Sequence, residues 1–251
     1  MKTIDKIFGT LLILLISTTF INAQNQFYRI HVDHVYSSSN EDYGKISKKL
    51  ADLAKENQEE VGWNVLWTYD NRVISITPVS GWEDLGNEFM PKTRAKIGDT
   101  KFAEIFEDFD KHYDHHNDYI ITLNSNLSYM PDGITITPEG QNYRKNIVMY
   151  HKARDRQKIA EIAQKYKDLY TKKASKSHYR FYFSGFGNAE SYILVSSSAA
   201  NPLDYAKKEE ENRKLLEEDA DKLWKELSQY VTKLEYTEGN MVPELSYNPK
   251  D

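Results

Sequence analysis

The chain has 251 residues, of which 39% are hydrophobic and 28% are charged, so it can bury a core and is not of the disordered class. Its formal net charge of −5 offers no basic face for phosphate groups, which predicts that nucleic acid is not a partner. Because the chain has no cysteine, disulfides, thiolate catalysis and cysteine-based metal sites are excluded.

Residues 1–23 have the order of a secretory signal peptide. Lys2 and Lys6 precede an apolar run over residues 7–21, and Ala23 supplies a small residue at the cleavage site. We therefore predict an exported protein, periplasmic or secreted, with no membrane attachment after cleavage. An uncleaved anchor is the alternative, although the apolar run is short for a transmembrane span.

A five-residue motif occurs twice in the sequence. Residues 127–131 read Leu-Ser-Tyr-Met-Pro, and residues 245–249 read Leu-Ser-Tyr-Asn-Pro. The match predicts an internal duplication. We expect each motif to lie over the end of the barrel or over the other half, with a shared turn left from the duplication as the alternative.

The predicted elements follow the same order in both halves. The first half (residues 24–130) has strands at 27–36, 63–69, 72–79 and 119–123, and helices with apolar faces at Tyr43, Ile46, Leu50, Leu53 and Ala54 and at Phe102, Ile105, Phe106, Phe109 and Tyr113. A linker rich in proline and glycine spans residues 131–142. The second half (residues 143–251) has strands at 143–151, 178–184, 191–195 and 231–236, and helices with apolar faces at Ile159, Ile162, Ala163, Tyr166 and Leu169 and at Leu216, Ala220, Leu223, Trp224 and Leu227.

Each half is thus strand, helix, strand, strand, helix, strand, which is the ferredoxin-like split βαβ arrangement. A sheet of this kind has helices on one face and needs a cover on the other. The sequence therefore predicts an α+β fold of two tandem ferredoxin-like repeats, whose antiparallel sheets face each other as a barrel with the helices outside.

In element order, twofold copy and aromatic hairpins, residues 27–247 resemble a fused form of the dimeric α/β-barrel superfamily. This group includes antibiotic-biosynthesis monooxygenases, NIPSNAP-like proteins and stress-responsive barrel proteins. The resemblance implies a space between the two sheets that holds small ligands, and activities that range from monooxygenation and haem degradation to no known catalysis. Because fusion supplies the contact that single-copy relatives obtain by dimerising, we expect a monomer.

Side chains alternate along a strand, so each predicted strand has an inner and an outer face. Tyr28-Arg29 and Tyr143-Arg144 match at an offset of 115, which places an arginine at the start of the inner row of each half. In the second strands, an offset of 116 keeps the apolar rows on the helix-packed face. The rows predicted to face inward are Arg29, His31 and Asp33; Asn64, Leu66 and Thr68; Val73 and Ser75; Arg144, Asn146 and Val148; His178, Arg180 and Tyr182; and Tyr192 and Leu194.

This interior predicts a ligand cleft between the two halves. Arginines are fork-shaped donors suited to anions, so the expected ligand is small and polar or an anionic aromatic molecule. The predicted ligand-binding residues are Arg29, His31, Asp33, Asn64, Arg144, Asn146, His178, Arg180 and Tyr182. The alternative is a structural ion-pair network in which Asp33 neutralises one or two arginines.

Two further functions are compatible with the same interior. One is a cofactor-independent monooxygenase-like enzyme that uses His31, Asp33 and Tyr182, because a histidine beside a carboxylate can act as a base. The other is a structural or interaction protein whose barrel is filled. We predict no cofactor, since the sequence contains no GxSxG elbow, P-loop or GxGxxG motif.

The densest histidine cluster consists of His112, His115 and His116. We place it at the C-terminal end of the second helix, where the helix dipole favours histidine. His112 and His116 are four residues apart and would share a helix face, a spacing that suits a metal ion. We nevertheless predict no metal site, because neither an HExxH pattern nor a cysteine pair is present.

Overall fold

The computed structural model describes residues 25–249, so the predicted signal peptide lies outside the described residues. Within this part of the chain, strands β1–β8 cover Gln26–Val35, Asn64–Thr68, Arg72–Val79, Tyr113–Leu123, Tyr143–His151, Tyr179–Ser184, Tyr192–Ala199 and Val231–Met241. Helices α1–α5 cover Asn40–Glu56, Pro91–Ile97, Asp99–Phe109, Arg156–Lys172 and Pro202–Leu227.

The eight strands form one closed antiparallel barrel. Their order is β1-β3-β2-β8-β5-β7-β6-β4, and pairing of β4 with β1 closes the ring. The two halves join where β2 pairs with β8 and where β4 pairs with β6. The predicted α+β fold, with two ferredoxin-like repeats facing each other as a barrel, is confirmed.

Apolar clusters occupy both sides of the barrel wall. Outside, Tyr43 and Ile46 of α1 pack with Val65 of β2, and Ile162 of α4 packs with Phe181 of β6. A third cluster fills part of the interior and contains Tyr28, Ile30, Val32, Ile121, Leu123, Tyr182 and Tyr192. The amphipathic helix stripes are therefore buried against the outer face of the sheet. In residues 25–249, every helix is too short or too polar for a transmembrane span.

The serines of the two Leu-Ser-Tyr motifs each form a hydrogen bond with the second strand of the other half. Ser128 Oγ accepts a hydrogen bond from the backbone N–H of Phe181 at 2.9 Å, and Ser246 Oγ accepts one from the backbone N–H of Val65 at 3.0 Å. Each hydroxyl also donates to the carbonyl oxygen four residues earlier, at 2.7 and 2.9 Å. Each motif therefore lies on the other half, which was one of the two expected positions.

The tyrosines of the motifs repeat this arrangement. Tyr129 forms an isolated antiparallel bridge with Tyr179, and Tyr247 forms one with Trp63. The two motif hydroxyls donate to backbone carbonyl oxygens of the opposite half, at 3.1 and 2.7 Å. Tyr179 and Trp63 are 116 residues apart, which agrees with the offset chosen for the second strands.

The strand register shows that the offset chosen for the first strands is wrong. Phe27 pairs with the last residue of β3, and Tyr143 pairs with the last residue of β7, so β1 and β5 correspond at an offset of 116. The Tyr-Arg echo at 115 is one residue out of register, and such a slip moves every side chain to the opposite face. The inward prediction for Arg29, His31 and Asp33 is therefore incorrect.

The prediction for strand β3 exchanges its inner and outer faces in the same way. Ile74 and Ile76 line the interior, whereas Val73 packs into the outer cluster with α1. The prediction that Val73 and Ser75 face inward is therefore wrong. Residues that pair across two antiparallel strands point to the same face of the sheet. Because β3 pairs with β1 along its whole length, the error in the face of β1 applies to β3 as well.

Equivalent turns also mark the duplication. Asp84 accepts a hydrogen bond from the backbone N–H of Ser80 at 2.6 Å, and Asp204 accepts one from Ala200 at 2.9 Å. Asn201 caps α5 by accepting the backbone N–H of Asp204 at 2.9 Å. Asp84 and Asp204 thus close equivalent turns after the third strand of each half.

We expect Ser128→Ala to lower the free energy of unfolding by about 1–3 kcal/mol, because the buried N–H of Phe181 loses its acceptor. Ser125→Ala is the matched control, since its hydroxyl has no hydrogen-bond partner among the described residues. Its effect should stay within about 0.5 kcal/mol. Urea unfolding followed by circular dichroism measures both variants. Equal losses of unfolding free energy in the two variants would show that the hydrogen bond between Ser128 and Phe181 adds no stability.

Candidate functional site

A cavity of about 110 Å3 lies inside the barrel, between the two halves. One wall is mainly apolar and comes from the first half, with Ile30, Leu66, Ile74, Ile76 and Ile121. The second half supplies most of the polar lining, with Arg144, Asn146, Arg180, Tyr182, Ser196 and Thr237. The cavity therefore has an apolar side and a cationic side.

Arg180 projects from β6 into this cavity and is only 2% exposed. Its Nη1 donates to the carbonyl oxygen of Thr135 at 3.0 Å. Its Nη2 donates to the carbonyl oxygen of Ser196 at 3.3 Å and to Ser198 Oγ at 2.6 Å. All these acceptors are neutral, and burial lowers the pKa of the guanidinium.

Arg144 lies at the start of β5 and is 3% exposed. Its Nη2 donates to the carbonyl oxygen of Ile136 at 2.5 Å. Its Nη1 donates to the carbonyl oxygen of Tyr143 at 3.0 Å and also to that of Gln141. Burial, and then repulsion from Arg180, lowers the pKa of Arg144 to about 9.

No carboxylate from the described residues lines the cavity with these two arginines. Within residues 25–249 neither arginine forms an ion pair, and Asp33 lies on the outside of the barrel, where it pairs with His31. The predicted alternative, in which Asp33 neutralises the interior arginines, is therefore wrong. Among residues 25–249, no charge in the cavity neutralises these two buried guanidinium groups, and burying an uncompensated charge is costly.

Two more polar groups complete the lining. Arg72 of β3 donates to Thr237 Oγ1 at 3.1 Å and pairs at 2.7 Å with Asp70, a largely exposed carboxylate. Asn146 is buried, and its Oδ1 has no hydrogen-bond partner among the described residues. A buried amide oxygen without a partner is uncommon, and a donor on a bound molecule would satisfy it.

The cavity brings together only part of the predicted site. Of the predicted ligand-binding residues, the lining contains Arg144, Asn146, Arg180 and Tyr182. Asn64 is buried but does not line the cavity, and His178 packs edge-on against Tyr129, with ring centroids 5.8 Å apart. Arg72 also lines the cavity and is not among the predicted residues, because the pairing of β3 with β1, which turns Arg72 inward, is not visible in the sequence.

Arg29, His31 and Asp33 form a cluster on the outer face of the barrel. His31 Nδ1 lies 3.0 Å from Asp118 Oδ2, and His31 Nε2 lies 3.1 Å from Asp33 Oδ1. Arg29 pairs with Asp118 at 2.9 Å, and Tyr43 donates to Asp33 Oδ2 at 2.5 Å. A histidine between two carboxylates is held in its protonated form.

Tyr182 belongs to the interior, so the predicted catalytic set of His31, Asp33 and Tyr182 is not assembled. Burial alone would lower the pKa of His31, but the hydrogen bond that the ring donates to Asp118 and the close negative charges of Asp118 and Asp33 outweigh it. The net result is a pKa of about 9. The same pairing with His31 lowers the pKa of Asp118 to about 2.

The predicted position of the histidine cluster at a helix end is also wrong. Helix α3 ends at Phe109, and β4 begins at Tyr113, directly after His112, because the chain extends there to pair with β1. His115 stacks on His34, with ring centroids 3.8 Å apart, and His116 lies 5.3 Å from His31. In residues 25–249, no group of three or more metal-ligating side chains converges.

We expect the His31 imidazole of the folded protein to titrate near pH 9. Because its pKa in the folded state exceeds the ordinary value of 6.5, its stabilising contribution is complete below pH 6.5 and is lost as the pH rises through 9. NMR titration of the His31 ring measures this directly. Asp118→Asn should bring the midpoint down, whereas a wild-type midpoint near 6.5 would refute the paired geometry.

Comparison with known proteins gives a match at the level of fold. No family model and no curated protein matches the chain. An anthrone oxidase-like protein matches with a TM-score of 0.60 and 10% identity, over 87% of this chain and 92% of that one. The "putative monooxygenase" of Lactobacillus acidophilus NCFM matches with a TM-score of 0.55 and 9% identity, over 90% and 97%.

A third structure, the "putative monooxygenase" of Fusobacterium nucleatum, has a TM-score of 0.54 and 9% identity, over 86% of this chain and 92% of that one. Identities this low establish the fold and leave the activity open. The chain therefore has the tandem ferredoxin-like α/β-barrel fold of these monooxygenase-like proteins, as the sequence resemblance predicted.

Proposed function

We propose that the protein is exported and that it binds a small polar or anionic ligand inside its barrel. The observation that carries the proposal is the pair of buried guanidinium groups, Arg144 and Arg180, which face a cavity without a carboxylate from the described residues. Arginine is the side chain best suited to hold a carboxylate or phosphate oxygen by two parallel hydrogen bonds.

The energetics of burial support a bound anion. An ion buried without a partner costs on the order of several kcal/mol, and neutral acceptors offset only part of that cost. The charges of Arg144 and Arg180 also repel each other, which contributes to the lowered pKa of Arg144. An anion placed between the two guanidinium groups would remove both penalties at once.

The cavity also limits the ligand. A volume of about 110 Å3 holds several water molecules or one compact organic molecule. The isoleucine-rich wall favours a ligand whose far end is apolar, and the unpaired Asn146 Oδ1 favours one that also carries a donor. These features agree with the small polar or anionic aromatic ligand expected from the sequence.

Export rests on the composition of residues 1–23. The proposal expects a mature chain that begins at Gln24 and is found outside the cytoplasm. Intact-mass measurement of the protein recovered from cell fractions tests it. A full-length chain that stays with the membrane fraction would support the uncleaved anchor.

Catalysis in the same cavity is the second candidate. Its support is the similarity in fold to proteins named as monooxygenases, together with the presence of Tyr182 in the cavity. His31 and Asp33 lie outside the barrel, so any chemistry would depend on other residues. The cavity itself weighs against a filled, purely structural barrel.

We expect Arg144→Met and Arg180→Met to abolish retention of a co-purifying ligand in native mass spectrometry, because each removes one of the two buried guanidinium groups that face the cavity. Arg29→Met is the matched control, since Arg29 is exposed on the outer face and pairs with Asp118. It should retain the ligand like the wild type. Circular dichroism establishes that all three variants are folded.

Two results would count against the binding proposal. One is retention of the ligand by both interior variants at the wild-type level. The other is a wild-type protein that carries no ligand and binds no carboxylate or phosphate in calorimetry. If the wild type consumes the released molecule, the protein is an enzyme and not only a binder.

A further inference from the structure

We infer that the linker segment (residues 131–142) is an internal stand-in for the ligand, and that the ligand is a compact carboxylate with a branched or cyclic apolar body that displaces it. This inference rests on the proposed function and names its substrate class. It assigns a role to a segment that the sequence marks only as a connection between the repeats.

The first observation concerns hydrogen bonds. The two interior arginines bind the linker segment through the carbonyl oxygens of Thr135, Ile136 and Gln141. Within the described residues, the other hydrogen bonds of residues 132–141 close turns inside the segment or to the adjoining Met130. At the end of the segment, the carbonyl oxygen of Asn142 accepts a hydrogen bond from the backbone N–H of Met241 at 2.7 Å. Between its two ends, the guanidinium groups are its polar attachment to the barrel.

The second observation is the position of Ile136. Its carbonyl oxygen lies 2.5 Å from Arg144 Nη2 and 3.5 Å from Arg180 Nη1, so both cations share one oxygen. Its side chain lines the cavity and packs against the interior apolar cluster. One residue thus presents an oxygen to the cationic side and a branched hydrocarbon to the apolar side.

The third observation is that the segment is weakly held. Its residues are exposed except for Ile136, Pro138 and Gln141, which are half-buried, and it contains no helix or strand. Gly133 and Gly140 adopt positive φ angles of 107° and 68° at its turns. Segments with few buried apolar contacts and little hydrogen bonding open at low free-energy cost.

These observations define the competing ligand. Hydrogen bonds from arginine to an ionised acceptor are roughly twice as strong as those to a neutral one. A carboxylate therefore replaces the Ile136 carbonyl with a gain, and it brings the counter-ion that the cavity lacks. A hydrocarbon body of about the size of the isoleucine side chain fills the space that Ile136 vacates.

The test compares two isoleucines of the same segment. Ile136→Ala removes the branched hydrocarbon from the cavity and leaves the carbonyl oxygen, and Ile134→Ala is the matched control because Ile134 is 40% exposed. The probes are 3-methylbutanoate and its neutral analogue 3-methylbutanamide, measured by calorimetry. Ile136→Ala should bind the carboxylate more tightly on the order of tenfold than the wild type or Ile134→Ala does. The amide should bind weakly to all three.

A second measurement follows the segment itself. Glu139 is exposed, so the protease Glu-C can cleave after it once the segment leaves the barrel. We expect 3-methylbutanoate to speed this cleavage in the wild type, although a bound ligand usually protects a protein from proteolysis. The amide should not change the rate.

The outcomes separate this inference from the proposed function. Equal affinities of Ile136→Ala and Ile134→Ala, or slower cleavage with the carboxylate, would overturn displacement of the segment. Amide binding as tight as that of the carboxylate would overturn the ligand class. In either case, the proposed function stands if the wild type binds the probe and Arg144→Met and Arg180→Met do not. If neither the wild type nor any of the variants binds either probe or any other anion, the proposed function fails as well.

Discussion

Closure of the sheet between the two halves is the constraint on which the structure depends. Neither four-stranded sheet can remain with a bare face, and neither can leave its edges unpaired. The pairs β2–β8 and β4–β6 solve both problems, and the Ser128 and Ser246 hydroxyls fasten the junctions. The interior that results belongs to both repeats, so a site within it requires the whole chain.

The two repeats share this strand pairing but differ in the side chains that they direct into the barrel. At the structural offset of 116, Ile30 corresponds to Asn146 and Leu66 corresponds to Tyr182, and both pairs line the cavity. The first repeat thus supplies a mainly apolar wall, with Arg72 as its charged member, and the second supplies most of the polar lining. This asymmetry is what the proposed ligand, with one charged and one apolar end, would match. The interior asymmetry is therefore where the function of the protein should be sought.

Much of this architecture could be predicted from the sequence, because helix stripes and strand alternation are local signals. The interior positions of Arg180 and Tyr182 also followed from alternation. That of Arg144 was predicted correctly only because a wrong offset was combined with a wrong face for β1. The face of β1 did not, since Tyr28-Arg29 resembles Tyr143-Arg144 by residue type and only the pairing with β3 fixes the register. The end of α3 was missed for a related reason, because pairing with β1 draws residues 113–118 into a strand. The role of the linker segment depends on tertiary contacts that composition does not encode.

The central claim is that the cations inside the barrel receive an anion. The most direct measurement is NMR of the arginine side-chain Nε–H groups during titration with a compact carboxylate. The account predicts that the signals of Arg144 and Arg180 shift together and saturate, while that of Arg29 on the outer face stays unchanged. A shift confined to Arg29, with the two interior signals unmoved at saturating carboxylate, would contradict it.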